Sequence, residues 1–141
     1  MGQAREVLDR LTNAMMAKDR EVIAACYAAD VVAVTPEQGE ISGRDAIYQY
    51  TVQFLDAFPD FTYEYLQKHE AGDIAIDEGY ITGTNTGALT MGPGESLPAT
   101  GKRVRVRGCD VAVVEAGQIT AHRFYHDQMD FLSQLGLLPA G

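Results

Sequence analysis

An α+β fold is what the sequence predicts: three N-terminal helices packed on a curved, mainly antiparallel sheet, together forming a cone-shaped α+β barrel with a pocket inside. Three observations point there. Apolar residues recur at helical spacing as far as Phe58. From Phe61 onward the apolar period shortens to that of strands. Near the end, two β-branched-rich runs flank Glu115-Ala116-Gly117, the pattern of an antiparallel hairpin.

Residues 3–18 place Val7, Leu8, Leu11, Ala14 and Met15 on one helical stripe. A second, short helix runs from Glu21 to Tyr27, with Asp19 as its N-cap. Val31 to Thr35 reads as a short strand stopped by Pro36, and Glu37 to Gly43, polar with two glycines, reads as a loop. The third helix spans Asp45 to Ala57 and is closed by Pro59. Strands follow at Phe61–Glu70 and Ile74–Thr84, joined by a Gly72-Asp73 turn. Asn85 to Pro98 is a Gly/Pro-rich loop that lacks the spacing of a phosphate cradle and suits a pocket lid. The closing hairpin leads into an amphipathic tail with Met129, Phe131, Leu132, Leu135 and Leu138 as its apolar set.

The 141 residues suit one domain, 1–141, and 46% hydrophobic content is enough for a core without disulfides. A net charge of −9 argues against nucleic acid or an anionic membrane as partner. The one basic cluster, Lys102, Arg103, Arg105 and Arg107, alternates along a strand and reads as a solvated face or as the rim for an anionic ligand. No run reaches membrane-spanning length, no signal core opens the chain, and Glu6 spoils a myristoylation motif after Met1-Gly2. Two cysteines without a Cys-x-x-Cys pair suit small buried thiols and a cytoplasmic location.

Two acids stand out. Asp127 ends an otherwise apolar strand, under the hydrophobic tail. Strict alternation puts it on one face with Ile119, Ala121, Arg123 and Tyr125, while Thr120, His122, Phe124 and His126 share the other. If the first face lines the pocket, lost hydration raises the Asp127 pKa and suits it to moving protons; the alternative is a helix cap or a salt bridge. Asp110 lies inside the apolar run GCDVAVV and must be paired, protonated or used. Arg123, if inward, is a buried cation seeking Asp110, Asp127 or an anionic ligand. Tyr48, Tyr80 and Tyr125 are candidates for a polar-aromatic lining, and Phe54 and Met91 for lining or core. His122 and His126, four apart on a strand, lie roughly 13 Å from each other and cannot share one metal ion. His126 could relay a proton to Asp127 if the strand twists or bulges there. No metal or cofactor is expected.

GTNTGAL at 83–89, LPATGKRVRVRG at 97–108, and Asp127 followed by LSQLGLLP resemble the SnoaL-like polyketide cyclases of the nuclear transport factor 2-like superfamily. The resemblance implies a cone-shaped pocket, a homodimer formed by sheets, and an acid at the end of the last strand that drives an intramolecular aldol condensation. Asp127 occupies that position. Arg123 stands where the family commonly has Trp, and Asn85 where a GTHTG loop has His, so the implied pocket is more polar than a flat aromatic substrate asks for. The expected activity is a cofactor-free cyclisation or isomerisation of a small, hydrophobic, carbonyl-bearing molecule. Asp127 would be its proton shuttle, and Asp110, His126, Arg123 and Asn85 would orient the substrate or steady an enolate oxygen. The alternatives are a cofactor-independent hydroxylase or hydrolase in the same pocket, or a non-catalytic small-molecule-binding dimer. A ketosteroid isomerase triad is not expected, since Leu11 and Thr35 fall where its Tyr and base would be. Nor is an epoxide hydrolase Arg-x-Asp pair, since Arg107 is three residues before Asp110.

Overall fold

The computed structural model describes residues 2–92 and 94–138; of residues 91 and 92 it describes the backbone only. Helix α1 (Gln3–Ala17) and the short α2 (Arg20–Ala25) come first, then β1 (Tyr27–Thr35), β2 (Gly39–Ser42) and α3 (Arg44–Ala57). Strands β3 (Thr62–Ala71), β4 (Ile74–Thr84), β5 (Leu89–Gly92), β6 (Glu95–Leu97), β7 (Arg103–Glu115) and β8 (Gln118–His126) follow, and α4 (Gln128–Gln134) comes last. The α+β class and the mainly antiparallel sheet are as expected. The six-stranded sheet has the order β2-β1-β8-β7-β4-β3, and its one parallel pair is β1 with β8. β5 and β6 form a separate small hairpin.

Local chemistry explains most boundaries. Asp19 caps α2 by accepting from the Val22 amide at 3.2 Å. The turn between β7 and β8 needs positive φ at both central residues, and Ala116 (51°) and Gly117 (79°) supply it. At Gly79 a Cβ would lie 2.1 Å from the Glu64 carbonyl oxygen, so only glycine lets β3 cross β4 there. The basic residues of β7 do form an outer face: Arg105 stacks on Tyr80 at 3.6 Å and pairs with Glu64 at 2.9 Å.

The structure departs from the sequence reading in four places. β1 begins at Tyr27, four residues early. β2 pairs along the edge of β1 inside the expected 37–43 loop, with Ile41 as its single buried residue. The 85–98 loop contains β5 and β6. The tail is helical as α4, but Met129 is 67% exposed while Phe131 and Leu135 are buried.

The core lies between the sheet's inner face and the helices. Val7, Leu8 and Leu11 of α1 meet Val106, Ala112 and Ile119 from β7 and β8. α3 adds Ile47 and Leu55, and Phe58 stacks near Phe131 of α4 at 5.8 Å.

Asn85 belongs to this frame rather than to a ligand site. It is fully buried. Its Nδ2 donates to the carbonyls of Ala57 (3.2 Å) and Gly87 (2.9 Å), and its Oδ1 accepts from the amide and hydroxyl of Thr100 (2.8 and 2.9 Å). Every polar atom of the side chain is spent on tying α3 and the loop to the start of β7. Asn85→Ala strands these buried partners, and we expect a loss of about 3 kcal/mol in urea denaturation. An unchanged midpoint would show that water replaces the amide there.

Candidate functional site

A cavity of about 80 Å³ opens between α1, α3 and the inner face of β3, β4, β7 and β8. Leu11, Met15, Phe54, Phe61, Ile81 and Phe124 give it apolar walls. Two polar groups break them.

The first is built on the β7–β8 hairpin. Asp110 pairs with Phe124, Ala112 with His122, and Gly108 with His126, so these residues share the inner face. Their orientation depends on a β-bulge. Val113 pairs with Ala121 but Val114 pairs with Ile119, which leaves Thr120 as an extra residue. The bulge resets the alternation. Ile119 points inward, and after it so do His122, Phe124 and His126 rather than Arg123 and Asp127.

His122 is 1% exposed. Its Nε2 lies 2.7 Å from Asp110 Oδ2 and its Nδ1 lies 3.0 Å from the hydroxyl of Tyr27. Burial pushes the Tyr27 pKa well up, with the Asp110 charge as a second cause, so the phenol keeps its proton. It therefore donates to Nδ1, which leaves the ring hydrogen on Nε2, donated to the Asp110 carboxylate; the network fixes this assignment. Asp110 Oδ1 has no hydrogen bond among the described residues, and Asp110 is one of the residues that line the cavity. The partner of Asp110 is thus a histidine rather than an arginine.

The second group joins the turn after β1 to the end of β8. Glu37, in the turn after β1, accepts from Tyr50 Oη at 2.8 Å. Its Oε1 lies 3.4 Å from His126 Nε2, which is also 2.7 Å from Gln128 Oε1. Burial, and then the Glu37 carboxylate, push the Tyr50 pKa well up.

Beside Asp110, on β4, lies its cross-strand neighbour Asp77. Asp77 is 1% exposed and meets Arg5 NH2 at 2.5 Å, while its Oδ2 is buried without a partner. Arg5 also holds Asp9 at 2.8 Å. Burial, with the Asp110 charge adding to it, pushes the Asp77 pKa to about 6 against the pull of Arg5.

Of the residues expected at the site, Asp110, His126, Phe54 and Tyr125 border the cavity, although Tyr125 is 52% exposed. Asp127 does not. It is exposed, and its carboxylate caps α4 by accepting from the Asp130 amide at 3.0 Å. The proton-shuttle expectation for Asp127 is therefore corrected: water reaches this carboxyl, and its work is that of an N-cap. Arg123 is corrected as well, because the Thr120 bulge turns it to the sheet's other face, opposite the cavity. Tyr48 packs against the core outside the cavity lining. The Met91 side chain lies outside what the structure describes.

Sequence reasoning missed Tyr27, Glu37, Tyr50 and the inward turn of His122. The signal for His122 was its sharing a parity with His126. Glu37 carried none, since a polar residue after proline reads as a turn. Among the described residues no group of three His, Cys, Asp or Glu side chains could hold a metal ion, and no helix is long and apolar enough to cross a membrane.

A curved, mainly antiparallel sheet closed by helices over an apolar cavity defines an α+β cone. The chain belongs to the SnoaL-like domain family, whose profile matches residues 8–122. Solved structures agree on the fold. A protein from Jannaschia sp. CCS1, assigned as a SnoaL-like polyketide cyclase, superposes with a TM-score of 0.84 at 16% identity, over 97% of this chain and 94% of that one. AclR from Streptomyces galilaeus, assigned as a hydroxylase, gives 0.80 at 20% identity over 96% and 97%. An LEH-like epoxide hydrolase of M. tuberculosis gives 0.71 at 22% identity over 94% and 89%. No curated protein sequence matches the chain.

Asp77 generates a test of the site's electrostatics. Folding raises its pKa from an ordinary 3.8 to about 6, so between these values the folded protein holds a proton that the unfolded chain releases. The contribution of Asp77 to stability is therefore greatest at low pH and is lost as pH rises through about 6. We expect Asp77→Asn to remove this downward slope, read as urea midpoints from about pH 4 to about pH 7. Equal slopes in both proteins would refute the raised carboxyl.

Proposed function

We propose that the protein is a cofactor-free acid/base enzyme of the polyketide-cyclase type, and that Asp110 is its proton shuttle. The substrate is a small, hydrophobic, carbonyl-bearing molecule held against the apolar walls. The observation that carries this reading is the Tyr27–His122–Asp110 chain, closed to water at Tyr27 and His122 and open to the cavity at Asp110 Oδ1.

Such a chain supports proton transfer in both directions. Asp110 Oδ1 takes a proton from a carbon beside a carbonyl, and the electrons of that C–H bond pass into the enolate. The Nε2–H of His122 fixes the carboxylate's orientation, and Tyr27 fixes the ring. The same group then returns the proton or, in a cyclisation, releases it after the enolate carbon has attacked a second carbonyl. The diversity of reactions assigned to proteins of this fold makes the cavity's own residues, rather than the fold, the ground for the proposal.

The experiment uses the diketone 2-(3-oxobutyl)cyclohexanone in deuterium oxide, with loss of the α-proton signals followed by NMR. The wild type is expected to accelerate exchange over buffer. Asp110→Asn, which still accepts from His122, should lower the enzymatic rate by about 10²-fold or more at unchanged melting temperature. Exchange that survives in Asp110→Asn refutes the shuttle. Saturable binding of the diketone without exchange in the wild type would favour a non-catalytic binder.

A further inference from the structure

Glu37 and His126 are not explained by the reaction as drawn so far. Both lie on the cavity wall. The Glu37 side chain is 11% exposed and that of His126 10%, so two titratable groups have left water to meet each other at 3.4 Å. A lone pair on His126 Nε2 would face two acceptors, the Glu37 carboxylate and the Gln128 amide oxygen, so this nitrogen carries the hydrogen. Tyr50 donates to the second oxygen of Glu37 and pins the carboxylate from behind. His126 packs edge-on against Phe131 at 5.5 Å, which fixes the ring plane. His126 Nδ1 has no hydrogen bond among the described residues. The Gln128 amide oxygen holds one imidazole nitrogen, a carboxylate stands beside it at ion-pair distance, and the other nitrogen is left free, an arrangement that prepares a histidine to carry a proton.

We propose that His126, oriented by Gln128 and with the Glu37 carboxylate beside it, is the second proton-transfer group of this cavity, serving a substrate oxygen while Asp110 serves a carbon; this rests on the Asp110 reading. The placement supports a division of labour. His126 pairs with Gly108, two residues along β7 from Asp110, so the two groups are offset by about 7 Å along the strand. That separation suits a substrate with two carbonyls divided by an apolar stretch. Asp110 Oδ1 breaks the C–H bond next to the first carbonyl and keeps the proton. The freed electron pair forms the new C–C bond at the second carbonyl carbon, whose C=O π electrons move to oxygen. That oxygen takes a proton from Nδ1 of the doubly protonated His126, and the product is a hydroxyketone. Asp110 then passes its proton back to neutral His126 through water, and no oxidant or reductant is needed. The step is the ring closure of the cyclase reading already proposed, on a molecule that carries its own acceptor carbonyl. His126 is the catalytic residue of this step, and Gln128, Glu37 and Tyr50 are positioning residues.

The test uses the same diketone, which has both carbonyls, and two variants, Glu37→Gln and His126→Asn. Deuterium exchange at carbon asks only for Asp110, whereas ring closure also asks for the acid. We expect both variants to lose at least tenfold in ring closure and to keep exchange within about threefold of wild type. Asp110→Asn should lose both. The second readout is the tautomer of His126 by nitrogen-15 NMR, tractable because the chain has three histidines. In its neutral form the ring should hold its hydrogen on Nε2 in the wild type, and that preference should weaken in Glu37→Gln, where Gln128 remains as the acceptor. Exchange with ring closure indifferent to both variants overturns the His126 proposal and leaves Asp110 standing. So does ring closure that falls only in step with exchange, or a His126 with its hydrogen on Nδ1. A wild type that neither exchanges nor closes the ring overturns the Asp110 reading and the acid with it.

Discussion

The inner face of β8 owes its chemistry to one residue without a cross-strand partner. Thr120 interrupts the pairing of β7 with β8, and a strand with one extra residue exchanges its two faces beyond that point. Ile119 is pinned inward by the core. With the bulge in place, His122, Phe124 and His126 also turn inward, and the cationic Arg123 is kept out. Without it, Arg123 would enter an apolar hollow beside Asp110 and neutralise the carboxylate that the cavity isolates. The parallel pairing of β1 with β8 then brings the Tyr27 hydroxyl to the back of the His122 ring.

Burial sets the terms for every polar group here. Taking a hydroxyl, an imidazole or a carboxylate out of water costs more than an ordinary hydrogen bond returns, so each must be satisfied by a neighbour. The Tyr27–His122–Asp110 chain meets that condition from its closed end outward. The only oxygen left over is Asp110 Oδ1, at the cavity. The Arg5–Asp77 pair next door is less complete. Arg5 spreads its donors over Asp9, Asp77 and two backbone carbonyls, and Asp77 Oδ2 is left buried without a partner. Two carboxylates paired across neighbouring strands repel each other, and the more buried one yields by holding a proton more tightly. Asp77 thereby leaves Asp110 the more accessible charge of the two.

Periodicity made the frame legible and hid the site. The apolar stripe of α1, the Asp19 cap, the extent of β4 and the hairpin turn at Ala116-Gly117 are local properties, and local patterns carry them. Asp110 was also legible, because an acid between small and apolar strand residues has to be accounted for. The strand-end acid, Asp127, was placed by strict alternation, and alternation fails wherever a bulge intervenes. Nothing in Gln118-Ile119-Thr120-Ala121 marks Thr120 as the extra residue; the register is decided by β7 and by the fit of Ile119 in the core. Tyr27 and Glu37 were out of reach for a different reason. Their partners lie 95 and 89 positions away in the chain, and such contacts leave no periodic trace.

The contrast between Asp127 and Asp110 shows why a carboxyl's position on a strand says less than its access to water. Both sit on or beside the closing hairpin, about 20 residues from the chain's last helix or nearer. Asp127 lies one residue past the end of β8, where the backbone turns to start α4 and solvent returns. There its best partner is the free amide of the first helical turn, and its carboxylate faces solvent rather than the cavity. Asp110 lies mid-strand, where the backbone amides are committed to the sheet and only side chains can answer it. His122 answers on one oxygen and the apolar walls leave the other unsatisfied. That second oxygen, open where the Asp127 carboxylate is committed to a cap, is why the proposed proton transfer is placed on Asp110 rather than on the strand-end acid.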